Sequence, residues 1–228
     1  MDKRFLTILG AVAIIFIGIF VFSQHSSKSS GSGASSNTQP TNHVQGQGST
    51  GVKLQEYGDY ECPICAIYNP AVDQVEQQFS EQITYQFSNL PLTSIHKNAF
   101  AAARAAEAAG LQGKYFDMHN LLYQNQDPNG QSGWVASDNP LSFFTSFAQR
   151  IGLNVNQFKT DYASDKVNSS INADLAAFAK TGKEQATPTF FLDGKYLPNT
   201  QLADPSTGQP SAAKFAQVIN AEIAAKNK

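Results

Sequence analysis

The stretch Gly58-Asp59-Tyr60-Glu61-Cys62-Pro63-Ile64-Cys65 holds the only two cysteines of the 228-residue chain, separated by two residues. Upstream, Val52-Lys53-Leu54-Gln55-Glu56-Tyr57 alternates apolar and polar side chains, the period of a half-buried strand. Downstream, Ile67, Val72, Val75 and Phe79 recur at helical spacing, and Pro63 suits a first helical position, where its missing N–H costs nothing. The local order is strand, tight turn, Cys62 at a helix start, then helix. Cys65 falls one turn inside it.

That placement determines the chemistry. A free thiol ionises near about 8.5, and the unpaired N–H groups and dipole at a helix N-terminus favour its thiolate. A thiolate is the nucleophile of thiol–disulfide exchange and, when acidic, the better leaving group. Cys62 is therefore the expected attacking sulfur and Cys65 the inner, resolving one. A structural zinc site needs about four ligands, whereas no further cysteine exists and His25, His43, His96 and His119 are scattered. A purely structural disulfide here would close a very short loop and remove little chain entropy. Two inert buried thiols leave the spacing unaccounted for.

The beginning of the chain addresses it to a compartment. After Met1-Asp2-Lys3-Arg4, residues 5–22 carry no charge, and as a helix they reach about 27 Å, enough for a thin or adjusted bilayer. Lys3 and Arg4 precede the segment, which predicts a single-pass cell-membrane anchor, residues 1–4 in the cytoplasm and the remainder outside. The competing reading is a signal peptide cleaved after Val21-Phe22-Ser23. Both export the remainder to where disulfides persist. Residues 23–50 are rich in Ser, Gly, Asn, Gln and Thr and read as a flexible linker. With 16 Lys and Arg against 18 Asp and Glu and no basic stripe, nucleic acid is not an expected partner.

Residues 51–228 suffice for one domain with a sizeable core. A second strand is expected at 83–87. Helical patterns follow at 98–109, 114–123, 140–151, 155–162 and 167–180, forming an all-helical block over about 94–181 whose alanine and phenylalanine rows are core packing. Strand character returns at Thr187-Pro188-Thr189-Phe190-Phe191-Leu192, Asp193-Gly194 turns a hairpin, and Lys195-Tyr196-Leu197 leads to a closing helix with Phe215, Val218, Ile219 and Ile223. Asp59 and Glu61 are expected as solvated turn charges, and His96 and His119 as structural or capping residues. The α/β order is strand, Cys helix, strand, helical insertion, hairpin, helix.

This order resembles the thioredoxin fold with the inserted helical subdomain of DsbA-like thiol:disulfide oxidoreductases, and with the N-terminal anchor it looks most like BdbD-type members. The resemblance covers nearly all of 52–228. It rests on the Cys62–Cys65 motif, His96-Lys97-Asn98-Ala99, Gln112-Gly113-Lys114-Tyr115-Phe116 and Thr187-Pro188-Thr189-Phe190-Phe191. It implies that Pro188 is a cis-proline against the Cys pair and that Thr187, with Pro63 and Ile64, meets the substrate chain. It also implies that Glu56 is a buried acid serving the inner cysteine; the strand alternation alone leaves open whether Glu56 faces core or solvent.

The activity so implied is oxidation of thiols in reduced or unfolded exported proteins, with reoxidation by a membrane quinone-linked thiol oxidase of the DsbB or VKOR type and with no metal or organic cofactor. Where strong oxidants of the family carry His inside the motif, this chain has Pro63-Ile64, and Ile64 donates no hydrogen bond. A reductase or isomerase using the same residues, and a polypeptide-binding, chaperone-like module, are the alternatives.

Overall fold

The computed structural model describes residues 39–228, so the expected anchor at 5–22 and the linker as far as residue 38 lie outside the described residues. No helix among the described residues is long and apolar enough to cross a membrane.

The centre is a five-stranded mixed sheet. Strand β2 (Val52–Gly58) lies in the middle, parallel to β3 (Ile83–Asn89) and antiparallel to β4 (Thr189–Leu192). The outer positions belong to β1 (His43–Gln45), antiparallel to β3, and β5 (Lys195–Leu197), antiparallel to β4. Between β2 and β3 runs the crossover helix α1 (Pro63–Phe79), which buries Cys65, Tyr68, Ala71, Val72, Val75 and Phe79. The β4–β5 turn needs positive φ at both central residues, and Asp193 (50°) and Gly194 (77°) supply it. The closing helix α9 (Ala212–Lys226), preceded by the short α8 (Asn199–Leu202), buries Phe215 against Tyr68 and Phe190.

Between β3 and β4 the chain is helical: α2 (Ala99–Gly110), α3 (Tyr115–Gln124), α4 (Gly133–Ala136), α5 (Leu141–Arg150), α6 (Val155–Tyr162) and α7 (Asp165–Ala179). α2 is the pillar of this insertion. Its alanines 102, 105, 106, 108 and 109 are fully buried, and side chains this small let α3, α5, α6 and α7 all approach one helix. Trp134 on α4, which no helical period announces, is also fully buried; it packs on Phe144 and donates its indole N–H to the Leu122 carbonyl (3.2 Å).

Residues 39–50 correct the linker reading, because here the chain is already part of the fold. The backbone of β1 pairs with Tyr85–Phe87, and a buried polar network explains why so polar a segment folds. The Asp174 carboxylate on α7 accepts the Thr41 N–H (2.8 Å), the Thr41 hydroxyl (2.6 Å), the Asn89 N–H (2.8 Å) and the Asn89 side-chain amide (3.1 Å). Asn89 also donates to Glu107 (2.7 Å), whose carboxylate holds His43 at 3.0 Å, and the His43 ring stacks on Tyr115. The network joins β1, β3, α2 and α7. A chain starting at residue 51 removes Thr41 and His43 and leaves Asp174 and Glu107 buried with fewer donors. It should be about 2–3 kcal/mol less stable in urea unfolding than a chain starting at residue 39, and equal midpoints would refute this role for the network.

Candidate active site

The two cysteines lie at the C-terminal end of the central strand, where β2 hands over to α1. Cys62 is the N-cap of α1, with extended backbone (φ −69°, ψ 119°), Pro63 follows at the first helical position, and no acidic residue occupies the first turn. Both sulfurs are thiols in this structure. Cys62 is 6 % exposed and Cys65 fully buried, so the outer sulfur is more covered than a helix-terminal position suggests. The cover comes from the loop before β4: Cys62 Sγ lies 3.5 Å from the Thr187 carbonyl oxygen, and the Thr187–Pro188 peptide is cis. Pro188 is buried and Thr187 partly so. The hydroxyl of Thr187 is buried without a partner among the described residues and is the group of that residue able to donate to a Cys62 thiolate.

The pair is electrically asymmetric. A hydrogen bond from the Cys65 thiol, helped by Thr187 and by the N–H groups of Cys65 and Ile64, brings the Cys62 thiol down to about 6, against the opposing effect of burial. Burial and the neighbouring Cys62 push the Cys65 thiol well above its ordinary value. The absent histidine of the motif is thus made up in part by backbone N–H donors at the helix terminus.

Glu56 is buried, at 3 % exposure. Its pairing with Phe87 across β2–β3 sets the alternation left open by the sequence and turns the carboxyl toward α1, on the cysteine side of the sheet. Tyr85 donates its hydroxyl to Glu56 Oε2 (2.8 Å), and burial, with Asp73 and Cys62 adding repulsion, raises the Glu56 carboxyl to about 8. Gly58 is required beside it: a Cβ there would meet the Phe87 ring at 2.5 Å and Glu56 Oε1 at 3.1 Å. The geometry brings Cys62, Cys65, Glu56, Thr187 and Pro188 to one place, with Pro63 half-buried and Ile64 exposed at its rim.

Asp59 and Glu61 are a second correction, since both are buried rather than solvated. Asp59 accepts the Glu61 N–H at Oδ1 and the Leu92 N–H at Oδ2 (2.8 Å each), and His96 Nδ1 lies 2.7 Å from the same Oδ2. That contact holds the His96 imidazolium above its ordinary range. Glu61 accepts the Asn98 N–H at the start of α2, and burial raises its carboxyl. The acceptors sit in the Cys loop while the donors lie some thirty residues on, a pairing that no local pattern signals. His119 is buried; it meets the Tyr60 hydroxyl (3.1 Å) and Asn69 Oδ1 (3.2 Å), and burial drives it down to about 3, so it is a neutral structural residue. Sequence reasoning also missed Gln126, whose amide donates to the carbonyls of Tyr60 (2.6 Å) and Cys62 (3.0 Å) and fixes the Cys loop from the insertion.

A family model for thioredoxin matches residues 38–209. The chain belongs to the thioredoxin family. Its architecture within that family is DsbA-like, in line with the resemblance carried by the motifs. BdbD from Bacillus subtilis (oxidised) superposes with a TM-score of 0.64 at 20 % identity, covering 81 % of this chain and 96 % of that one. A thioredoxin-like oxidoreductase from Silicibacter pomeroyi DSS-3 gives 0.63 at 24 % identity, covering 81 % and 93 %. Among curated proteins, the "Na(+)/H(+) antiporter NhaA 1" of Mycobacterium sp. (strain KMS) is 36 % identical over 155 residues, 67 % of this chain but 24 % of the antiporter. The chain therefore spans about a quarter of the length of the curated relatives it matches.

Two measurements check the site. In the reduced protein, thiolate absorbance should titrate with a midpoint of about 6 that disappears in Cys62→Ser. Because the folded-state value of Glu56 lies above its unfolded one, the stability tied to its protonated form is present below about pH 4.5 and is lost as pH rises through about 8. Glu56→Gln should therefore gain stability relative to the parent progressively across that window; a constant difference would show that Glu56 does not titrate there.

Proposed function

We propose that this protein is an extracytoplasmic, membrane-anchored thiol:disulfide oxidoreductase that introduces disulfides into exported proteins. The observation that carries this reading is the asymmetry of the pair: an acidified Cys62 at the helix terminus beside a fully buried Cys65 held as a thiol. A substrate thiolate attacks Cys62 Sγ of the oxidised pair, the Cys62–Cys65 bond breaks, and Cys65 leaves and is protonated. A second substrate thiolate then attacks the substrate sulfur of the mixed disulfide, and Cys62 leaves as a stable thiolate. Substrate is oxidised by two electrons and the pair reduced by two. A membrane quinone-linked thiol oxidase of the DsbB or VKOR type restores the disulfide.

The surroundings suit an unfolded polypeptide. Ile64 and Ile67 on α1 and Ile95 opposite are 48 %, 44 % and 71 % exposed, an apolar rim at the entrance. The backbone of Thr187 lies beside Cys62, where an extended substrate strand can pair with it. The uncharged stretch 5–22 supplies the anchor, and relatives named as Na(+)/H(+) antiporters accord with a domain held at a membrane.

The magnitude of the thiol's acidity bears on the direction of electron flow. With Cys62 at about 6, ionisation at pH 7 stabilises the dithiol by about 1.4 kcal/mol, making the disulfide about 30 mV more oxidising than an unperturbed pair. That falls short of the roughly 150 mV separating thioredoxin from DsbA. A reductase or isomerase reading is thus kept as a second possibility by a specific observation, the apolar Ile64 in place of a donor.

Equilibration in graded glutathione buffers separates the two: a potential well above about −200 mV supports the oxidase, whereas a value near −270 mV reverses the direction. Cys62→Ser should abolish exchange and Cys65→Ser should accumulate mixed disulfides. A binding module would keep its activity with both cysteines replaced.

A further inference from the structure

Breaking the Cys62–Cys65 disulfide requires a proton for Cys65, and Cys65 is fully buried. Glu56, close enough for its charge to act on the Cys65 thiol, is the buried acid at hand, and being buried it must itself be resupplied from water. The entrance at Cys62 is a poor source, since a bound polypeptide would cover it. A second opening exists. At the C-terminal half of α1 a cleft of about 430 Å³ is lined by Asp73, Glu76, Tyr85, Gln45, Asn120 and Gln124 among others. Tyr85, which donates to Glu56 at 2.8 Å, is one wall of it. Glu76 lies eleven residues, three helical turns, beyond Cys65 and so on nearly the same face of α1. Asp73 and Glu76 are only partly buried and therefore meet solvent.

We propose that Tyr85 and Glu76 form the proton route between Glu56 and bulk water, opening through this cleft, away from the face where substrate binds. The proposal rests on the exchange chemistry described above. When substrate displaces Cys65 from the disulfide, the Cys65 thiolate takes the Glu56 proton. Tyr85 passes its hydroxyl proton to Glu56 Oε2 and takes another from Glu76, directly or through water in the cleft, and Glu76 is reprotonated from solvent. One proton enters for the one thiol formed, and every member returns to its starting state. Reoxidation runs the same route backwards.

The charges around the route suit it. Facing Glu56 and Tyr85 are Cys62, Cys65, Asp73 and Glu76 of α1, Tyr60 of the Cys loop with His119 behind it, Tyr123 of α3 and, farther off, Glu107 of α2. β4 faces Glu56 with Phe190. Among the described residues no Lys, Arg or His lines the cleft, so none of them locks these carboxyls in the ionised form. Burial and neighbouring acids raise Glu76 to about 8, close enough to Glu56 for a proton to move between them with little difference in free energy. Tyr85, pushed well above its ordinary value, does not rest as a phenolate, so it gives one proton and takes the other in concert.

The test is reduction of the oxidised full-length protein by glutathione, quenched with an alkylating reagent and followed against pH. Tyr85→Phe should slow appearance of the Cys65 thiol by about tenfold near neutral pH, and rising imidazole buffer should restore the rate by delivering protons through the cleft. Glu76→Gln, at a partly exposed position that does not endanger folding, should show the same loss to a smaller extent, and Glu76→Asp should behave as the parent. Unchanged rates and pH profiles in Tyr85→Phe and Glu76→Gln overturn the route, as does a slow Tyr85→Phe that buffer does not restore, since that defect would be structural. A parent protein that fails to exchange with glutathione at all overturns the functional reading instead.

Discussion

The carboxylate of Asp59 is where the two halves of the domain are tied. It sits in the turn between the central strand and the Cys helix, and it accepts hydrogen bonds from its own loop at Glu61 and from the lead-in to the helical insertion at Leu92 and His96. Glu61 repeats the device at Asn98, and Gln126 reaches back to the carbonyls of Tyr60 and Cys62. A buried carboxylate without donors is costly, so these contacts hold as a set. They place the helix terminus of Cys62 against the helical insertion.

Much of this was legible from the residue pattern because the signals are local. The strand period before Gly58, the Pro after Cys62, the alanine run of 99–109 and Asp193-Gly194 each specify backbone conformation within a few residues, and each forms the element its chemistry favours. What was not legible depends on partners distant in sequence. Asp59 and Glu61 read as turn charges until donors arrive from Leu92 and Asn98. The polar residues 39–50 read as linker because composition cannot show that Asp174, more than a hundred residues on, offers Thr41 a buried acceptor. Glu56 had an undecided face until the register with β3 was known. Residue type pointed to the chemistry proposed for Cys62 and Cys65, and tertiary pairing showed which carboxyls are buried near them.

The site contains a deliberate imbalance. Beside the buried sulfur lies Glu56, with Asp73 and Glu76 farther along α1; burial raises all three carboxyls, Glu56 and Glu76 to about 8, so these two favour the protonated form near neutrality. Around the outer sulfur the donors are backbone N–H groups and Thr187, and the anion is the low-energy state. One dithiol is thus held with one proton rather than two or none. Helix terminus and buried acid act on opposite members of the pair, separated by a single helical turn.

The sheet ends in two strands of three residues each, β1 and β5, so it presents little unpaired backbone on either side. In the proposed function the protein would meet unfolded segments ready to add to an open sheet. With both borders this short, an incoming chain finds few adjacent amides to template on. On the proposed reading, backbone contact with substrate falls to the loop at Thr187 beside the sulfur, apart from the sheet borders where strand addition would seed aggregates.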